Sequence, residues 1–511
     1  MFVSGNIKKG EYFDSVTLMI VGKEISSLQG VIDAAVVMGT GENKAILRAA
    51  DLLLASFEEA KDTDLLIAIK AENEEVMMHA LSKVDEYLRN ARKKGDEGTE
   101  FQPRSIEGAK KILPGANVAM ISVAGKYAGY EAHKALNNGL HVMLFSDNIP
   151  LKREIKLKKH ALEKGLLVMG PDCGTAIING VPLAFANAVN RGKIGFVAAA
   201  GTGLQELTSI VTNLGEGVSQ AIGTGGRDIK NEVGGLMFLS AMAALAADEN
   251  TEIIVLAGKP PGSEVLQKII NAIESIKKPV VGVFLGAEES MFEKSAMHYT
   301  KTFEEAAQKA VALVKGLSPE LKAADSERVL ARARELAGRL TGGRKYLRGL
   351  FSGGSFCGEA QVIFDGLLPD VYSNVPFKNS KKLENSLQSQ KNTVIDLGED
   401  EFTVGRPHPM IDFSLRCRRI KEEAAAPETG VILLDVVLGY GSNMDPASEL
   451  VPVINELSDK VVVVCAITGT DNDPQGRAFV EKALCGAGAE VFPTNASACR
   501  FAANIIKNQG E

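Results

Sequence analysis

The residues best suited to chemistry in this 511-residue chain sit at glycine-rich junctions, where apolar runs give way to helical patterns. The junctions are Gly170–Gly174, Ala200–Gly203, Gly223–Asp228, Gly258–Ser263, Ser352–Ser355, Leu438–Asp445 and Thr468–Asp473. In open parallel sheets, ligands bind beyond the carboxyl ends of the strands. A helix starting there offers unpaired N–H groups and a partial positive charge, which suit phosphate or carboxylate. Two turns fit best, Gly201-Thr202-Gly203 and Gly353-Gly354-Ser355, because their glycines let an anion approach the backbone. Any one such turn alone reads better as a tight strand-to-helix connection; the set favours a ligand. Gly225 and Gly226 form a further turn of this kind. Lys259 follows a strand end directly, as a cation placed for phosphate or as a plain surface lysine. Arg227 could orient a substrate amide, or could pair only with Asp228. Asn443 occupies the matching loop later in the chain, and His408, in Arg406-Pro407-His408-Pro409, is the one histidine in an unusual loop setting. Cys173 is a thiol at a strand end, a position where buried packing is more common than reactivity.

Other chemistries are poorly served. No G-x-x-x-x-G-K-[ST] occurs, and no G-x-G-x-x-G opens a βαβ unit with an acid at the right distance, so kinase and simple nicotinamide readings are weak. The six cysteines form no C-x-x-C, the six histidines are scattered singly, and no metal site is expected. A net charge of −7 argues against a broad nucleic-acid surface but not against local anion pockets. No apolar stretch reaches a membrane span, and the N-terminal residues lack the apolar run of a signal peptide. A cytoplasmic protein with reduced thiols is expected.

The elements that must position these junctions follow from hydrophobic patterning. The expected fold class is multidomain α/β: doubly wound parallel-sheet lobes, Rossmann-like and flavodoxin-like, behind a small N-terminal α+β domain. Residues 1–105 read as that domain, ferredoxin-like, with strands at 15–21, 31–38 and 64–69, and its last residues, 92–105, read as a linker. Residues 110–188 read as a truncated Rossmann domain, 189–316 as a flavodoxin-like lobe, 317–344 as a helical connector and 345–511 as a second such lobe. Within the last, 376–408 reads as an irregular excursion. The lobes repeat each other: TEIIVLAGKPPGSEVL from 251 matches TGVILLDVVLGYGSNM from 429 in its sequence of strand, glycine-rich loop and helix.

In combination, these motifs resemble the α subunit of succinyl-CoA synthetase. The residues that carry the likeness are Gly170-Pro171-Asp172-Cys173, Ala198-Ala199-Ala200-Gly201-Thr202, Gly223-Thr224-Gly225-Gly226-Arg227-Asp228 and KPVVGVFLG at 278–286. The last segment resembles the CoA-ligase domain of the partner β subunit. The whole arrangement is similar to the FdrA family of acyl-CoA-synthetase-like proteins, over about 110–511, and the first hundred residues resemble that family's own N-terminal unit.

Three departures shape what the resemblance implies. The synthetase carries its phosphorylated histidine just after the strand equivalent to 279–285, where this chain has Gly286-Ala287-Glu288-Glu289 and no histidine before His298. Lys259 stands where the synthetase has a glutamate that holds the phosphohistidine. The early glycine-rich turn that wraps the CoA nucleotide has no counterpart, so CoA is a possible cofactor without its usual loop. A route through phosphohistidine needs both a nucleophilic imidazole and an acid to orient it. What remains is acyl transfer between phosphate and a second nucleophile, assisted by helix-end donors. Some FdrA-type proteins are associated with oxamate carbamoyl transfer in allantoin breakdown, so the resemblance implies oxalurate plus phosphate giving oxamate plus carbamoyl phosphate. On that reading Gly201, Thr202, Gly203 and Lys259 hold phosphate, and Gly353, Gly354 and Ser355 hold the carboxylate. Arg227 or Asn443 polarises the carbamoyl oxygen, and His408 shuttles a proton. The alternatives are an acyl-CoA ligase completed by a partner subunit, and a scaffold or regulatory subunit. Small anions, additional subunits and an oligomer are the expected partners; nucleic acid and membrane are not.

Overall fold

The structure, a computed structural model, describes residues 2–11, 13, 15–96, 103–317, 327–403, 406–457 and 459–508. The expected linker and connector fall partly outside these residues, at 97–102 and 318–326. The chain divides into two compact units, Met1–Leu113 with Glu399–His408, and Pro114–Gly398 with Pro409–Glu511.

The N-terminal unit runs β1 (Phe2–Lys8), α1 (Ser15–Ser26), β2 (Val31–Met38), α2 (Gly41–Ala49), β3 (Leu65–Ala71), α3 (Glu74–Asp96) and α4 (Ile106–Ile112). β3 lies between β1 and β2 and is antiparallel to both. The expected strand at 15–21 is a helix instead. Leu18, Val21 and Ile25 are buried at spacings of three and four, which is a helical stripe; the β-branched run around them imitates a strand. The start of the expected linker is also helical, since α3 continues to Asp96.

The larger unit opens with β4 (Val118–Ile121), α5 (Gly125–Asn137), β5 (His141–Leu144), α6 (Leu151–Glu163) and β6 (Val168–Met169). These strands form a small parallel sheet. A hairpin follows, β7 (Thr175–Ile178) and β8 (Val181–Ala184), turning at Asn179-Gly180 with both residues at positive φ. That pair suits the turn because both residues tolerate this backbone region. The first lobe is β9 (Arg191–Ala198), α7 (Gly201–Asn213), β10 (Val218–Gly223), α8 (Leu236–Ala247), β11 (Ile253–Gly258), α9 (Ser263–Ser275), β12 (Val280–Phe284), β13 (His298–Thr300) and α10 (Phe303–Val314). Its sheet order among the described residues is β13-β12-β11-β9-β10-β7-β8.

The second lobe comprises α11 (Glu327–Arg339), β14 (Tyr346–Phe351), α12 (Gly354–Phe364), β15 (Val371–Ser373), β16 (Lys381–Lys382), β17 (Asn392–Asp396), α13 (Asp400–Thr403), α14 (Ser414–Ala425), β18 (Thr429–Val437), α15 (Pro446–Leu457), β19 (Val462–Thr468), α16 (Arg477–Gly486), β20 (Glu490–Phe492) and α17 (Asn495–Lys507). Of these, α13 belongs to the N-terminal unit. The parallel sheet runs β16-β15-β17-β14-β18-β19-β20. The stretch 376–408 is therefore not simply irregular. Asn392–Asp396 is buried throughout and pairs with β14, but its five residues are too short a run to stand out among polar neighbours.

Around β9 and β14 the order is the same in both lobes: β13-β12-β11-β9-β10 and β20-β19-β18-β14-β17. Strands such as β11 and β18 are buried along their whole length, as sheets covered on both faces require. β9 and β14 each mark the point where the strand order reverses, and α7 and α12 begin in the crevice this opens. No described helix is long and apolar enough to cross a membrane.

Candidate functional site

The two crevices meet. A Cβ placed on Gly353, the residue before α12, would stand 2.7 Å from Thr202 Oγ1 in the first turn of α7. Only glycine permits that approach. The N-terminus of α7 is open: Ala200 supplies no side-chain cap, and the first backbone bond of the helix is Leu204 N–H to Ala200 O, 3.0 Å. Among the described residues, the amides of Gly201, Thr202 and Gly203 meet no acceptor. Beside them lies Thr175, 1% exposed, whose Oγ1 has no hydrogen-bond partner and stands 3.9 Å from a Cβ built on Gly201. A buried hydroxyl without a partner costs free energy, so it marks a place for a polar guest. Gly226 lies close by, with its Cβ position 3.9 Å from Ala199 O. Gly203 has a different reason to be glycine, because the Phe303 ring would lie 2.5 Å from any Cβ there.

The turn that leads into α12 is occupied by an acid of the chain itself, although the Gly354 and Ser355 amides, among the described residues, meet no acceptor. Asp435 accepts the Ser352 amide (2.8 Å), the Ser352 hydroxyl (2.7 Å) and the Gly353 amide (3.0 Å). It is itself paired with the fully buried Arg416 at 2.9 Å. Register explains the difference between the lobes. Ala198 of β9 is flanked by Ala257 and Gly223. Phe351, in the same place on β14, is flanked by Asp396 and, one step beyond the pair Leu350 and Leu434, by Asp435. Small residues leave one helix end open; two acids crowd the other. A Cβ on Gly354 would be 2.6 Å from Asp396 Oδ2, so the turn Gly353-Gly354-Ser355 faces carboxylates of its own chain.

The remaining sequence candidates are dispersed. Lys259 is exposed at the end of β11, with Nζ 6.0 Å from the Phe377 ring centroid of the second lobe, so it lies between the lobes. Gly225 packs against Pro171 O, 2.3 Å from its Cβ position, which makes it a structural turn. Arg227 is turned towards α6, bound to Glu154 Oε2 at 3.0 Å and donating to Ile149 O at 2.9 Å, and does not point at a carbonyl in the crevice. Asn443 is fully engaged: its amide donates to Glu449 Oε1 (2.7 Å) and its Oδ1 accepts from Asp445 N (2.9 Å). His408 lies in the stretch that belongs to the N-terminal unit. Cys173 is buried, its thiol pushed up to about 12 by loss of water, so it is no nucleophile. His298 pairs with Val281, three residues below the carboxyl end of β12. It is also three strands, about 14 Å, from β9. It cannot stand in for a phosphohistidine at α7.

Two flavodoxin-like lobes meeting helix end to helix end, behind a small three-stranded parallel sheet, define an acyl-CoA-synthetase-like protein. Residues 350–505 match the CoA-ligase family, and residues 1–103 match AllF, heavy metal-associated domain. The chain is 42% identical over 480 residues to "Uncharacterized protein YahF" of Escherichia coli (strain K12), covering 91% of each. The chain belongs to the FdrA family, as that protein does. It is also 27% identical over 192 residues to ADP-forming sulfoacetate-CoA ligase subunit SauD of Bilophila wadsworthia, 36% of this chain and 64% of that one. With the α subunit of ADP-forming succinate–CoA ligase of Aquifex aeolicus it shares 29% over 178 residues, 34% of this chain and 57% of that one. It thus spans less than two thirds of either ligase subunit.

Two groups that these likenesses imply fit poorly. The CoA nucleotide would need a glycine-rich strand-to-helix turn ahead of β4, and β4 is an edge strand entered from α4. A soft metal would need thiolates, and residues 1–103 hold no cysteine and one histidine, His79.

Proposed function

We propose that the chain is the anion-holding subunit of an acyl-group transferase that works without a phosphohistidine, and that its reaction is carbamoyl transfer between phosphate and oxamate. What supports this is the unpartnered Thr175 hydroxyl beside the open α7 amides, with Lys259 on the inter-lobe side. In the direction of oxalurate breakdown, a phosphate oxygen held at Gly201, Thr202 and Gly203 attacks the carbamoyl carbon. The bond from that carbon to the oxamate nitrogen breaks, and the phosphate proton passes to the nitrogen. Amides at a helix end stabilise the oxyanion that forms. The acids flanking Gly353-Gly354-Ser355 make that turn a poor carboxylate cradle, so the oxamate end is assigned to additional subunits, as in relatives that are themselves named as subunits. Phosphorolysis of oxalurate by the chain, alone and with co-expressed partner subunits, tests the reading; no carbamoyl phosphate in any combination removes it.

A second reading, an ADP-forming acyl-CoA ligase subunit, is favoured by the CoA-ligase match over 350–505. Submicromolar CoA binding in calorimetry on the assembled complex would select it.

Two substitutions probe the anion site. Thr175→Val removes the unpartnered hydroxyl while keeping the volume. Stability should rise by about 1 kcal/mol, because a buried unsatisfied group is gone. Sulfate affinity, read by calorimetry, should fall about tenfold, the loss of one charge-assisted hydrogen bond. Lys259→Met should leave the melting temperature unchanged, since the side chain is exposed, and weaken sulfate binding about fivefold. Unchanged affinity in both variants would move the anion elsewhere.

A further inference from the structure

The faces that join the lobes are built by α7 and α10 on one side and α12 and α17 on the other, and two buried glutamates tie them reciprocally. Glu206, the sixth residue of α7, accepts the amide of Asn495, the first residue of α17, at 2.8 Å. Glu359, the sixth residue of α12, accepts the amide of Phe303, the first residue of α10, at 2.8 Å. In each lobe the helix that follows the central strand, β9 or β14, therefore caps the other lobe's last helix. The second oxygens are also used: Glu206 Oε2 meets the Thr468 hydroxyl, and Glu359 Oε2 accepts from the Asn495 side chain at 2.8 Å. Neither glutamate lies in the crevice. Glu206 is about one helical turn from Thr202, which abuts Gly353, so a shift at the caps moves the contact between the two helix ends.

We propose that Glu206 and Glu359 are positioning residues, which hold the lobes so that Thr202 and Gly353 stay in contact and thereby set the anion affinity of the α7 N-terminus. This rests on the anion site proposed above. The groups facing the pair are Glu304 on α10, and Cys499 and Arg500 on α17. Arg500 is already bound to Glu304, which also accepts from Thr494 Oγ1 at 2.9 Å. With no cation of its own, the pair is pushed up by burial, Glu206 to about 8 and Glu359 to about 7. As protonated acids both can donate as well as accept; as two carboxylates they repel across Asn495. The contact weakens as pH rises through 7 to 8.

Sulfate, which does not titrate in this range, is the probe, and the full chain is the sample. Sulfate affinity of the wild type should fall at least fivefold between pH 6.5 and 8.5, whereas Glu206→Gln should flatten that fall and Glu359→Gln should reduce it. Hydrogen exchange supplies a readout that needs no anion. Relative to the Gln variants, the wild-type amides of Asn495 and Phe303 should lose protection at least fivefold across the same interval. Loss of protection without sulfate binding at any pH would keep the positioning role and remove the anion site. A fall in sulfate affinity that persists unchanged in both Gln variants, or protection identical in all three proteins, overturns the proposal.

Discussion

Replacing Asp435 by Ala should lower the stability of the second lobe by about 3–5 kcal/mol, the usual cost of removing one partner of a buried ion pair. Asp435 and Arg416 are both 0% exposed, so the guanidinium has no water to turn to once the carboxylate is gone. The loss reaches further than one pair, because the amides of Ser352 and Gly353 lose their acceptor at the same time. For a lobe of this size a drop in melting temperature of roughly 10 °C follows. Removing both charges, in Asp435→Ala with Arg416→Met, should recover much of it, since the buried charge then needs no partner. Thermal unfolding of the two variants decides the matter. A double variant no better than the single one would mean that the carboxylate matters as a helix cap and not as a counter-ion.

Lys158→Met should be comparably severe. The ammonium, 0% exposed, binds Glu154 Oε1 and Asp228 Oδ1 at 2.8 Å each and docks α6 on the loop that follows β10. Asp228 also accepts the amides of Met237 and Phe238 in the first turn of α8, so it cannot turn away. Without the lysine, two buried carboxylates face each other with Arg227 the nearest cation, at Glu154. The deficit against wild type should be about 3–5 kcal/mol. Lys158→Arg should not rescue it, because no space surrounds the buried head group. Melting curves of both variants decide this; a Lys158→Met protein that melts within about 2 °C of wild type would refute it.

Much of the architecture was legible because its signals are local. Continuous apolar strands such as TEIIVLAG and glycines at the junctions need no knowledge of distant residues, and they placed α7 and α12 correctly at the strand ends. The two helix ends also meet, Thr202 against Gly353. That one of the two ends carries an acid beside it was also written in the repeat: aligning TEIIVLAG with TGVILLDV sets Asp435 opposite Ala257, and an acid inside an apolar strand calls for a partner. The partner, Arg416, lies on α14, which no strong periodicity announced in the charged stretch after Phe413. Arg227 and Asn443 misled for a related reason. Their loops lie at the correct edge of the sheets, but direction is decided by Glu154 and Glu449, which sequence does not place beside them. The glutamates joining the lobes stand at equal places in GTGLQEL and GSFCGEA, yet their roles depend on which helices face each other across the interface, and that is a tertiary fact.

The contrast between Ala257 with Gly223 and Asp435 with Asp396 bears on how the molecule responds to its medium. A buried carboxylate fixed by its own guanidinium repels a dissolved anion from the turn beside it, whereas the α7 end, if it holds an anion as proposed, gains stability from that solute by mass action.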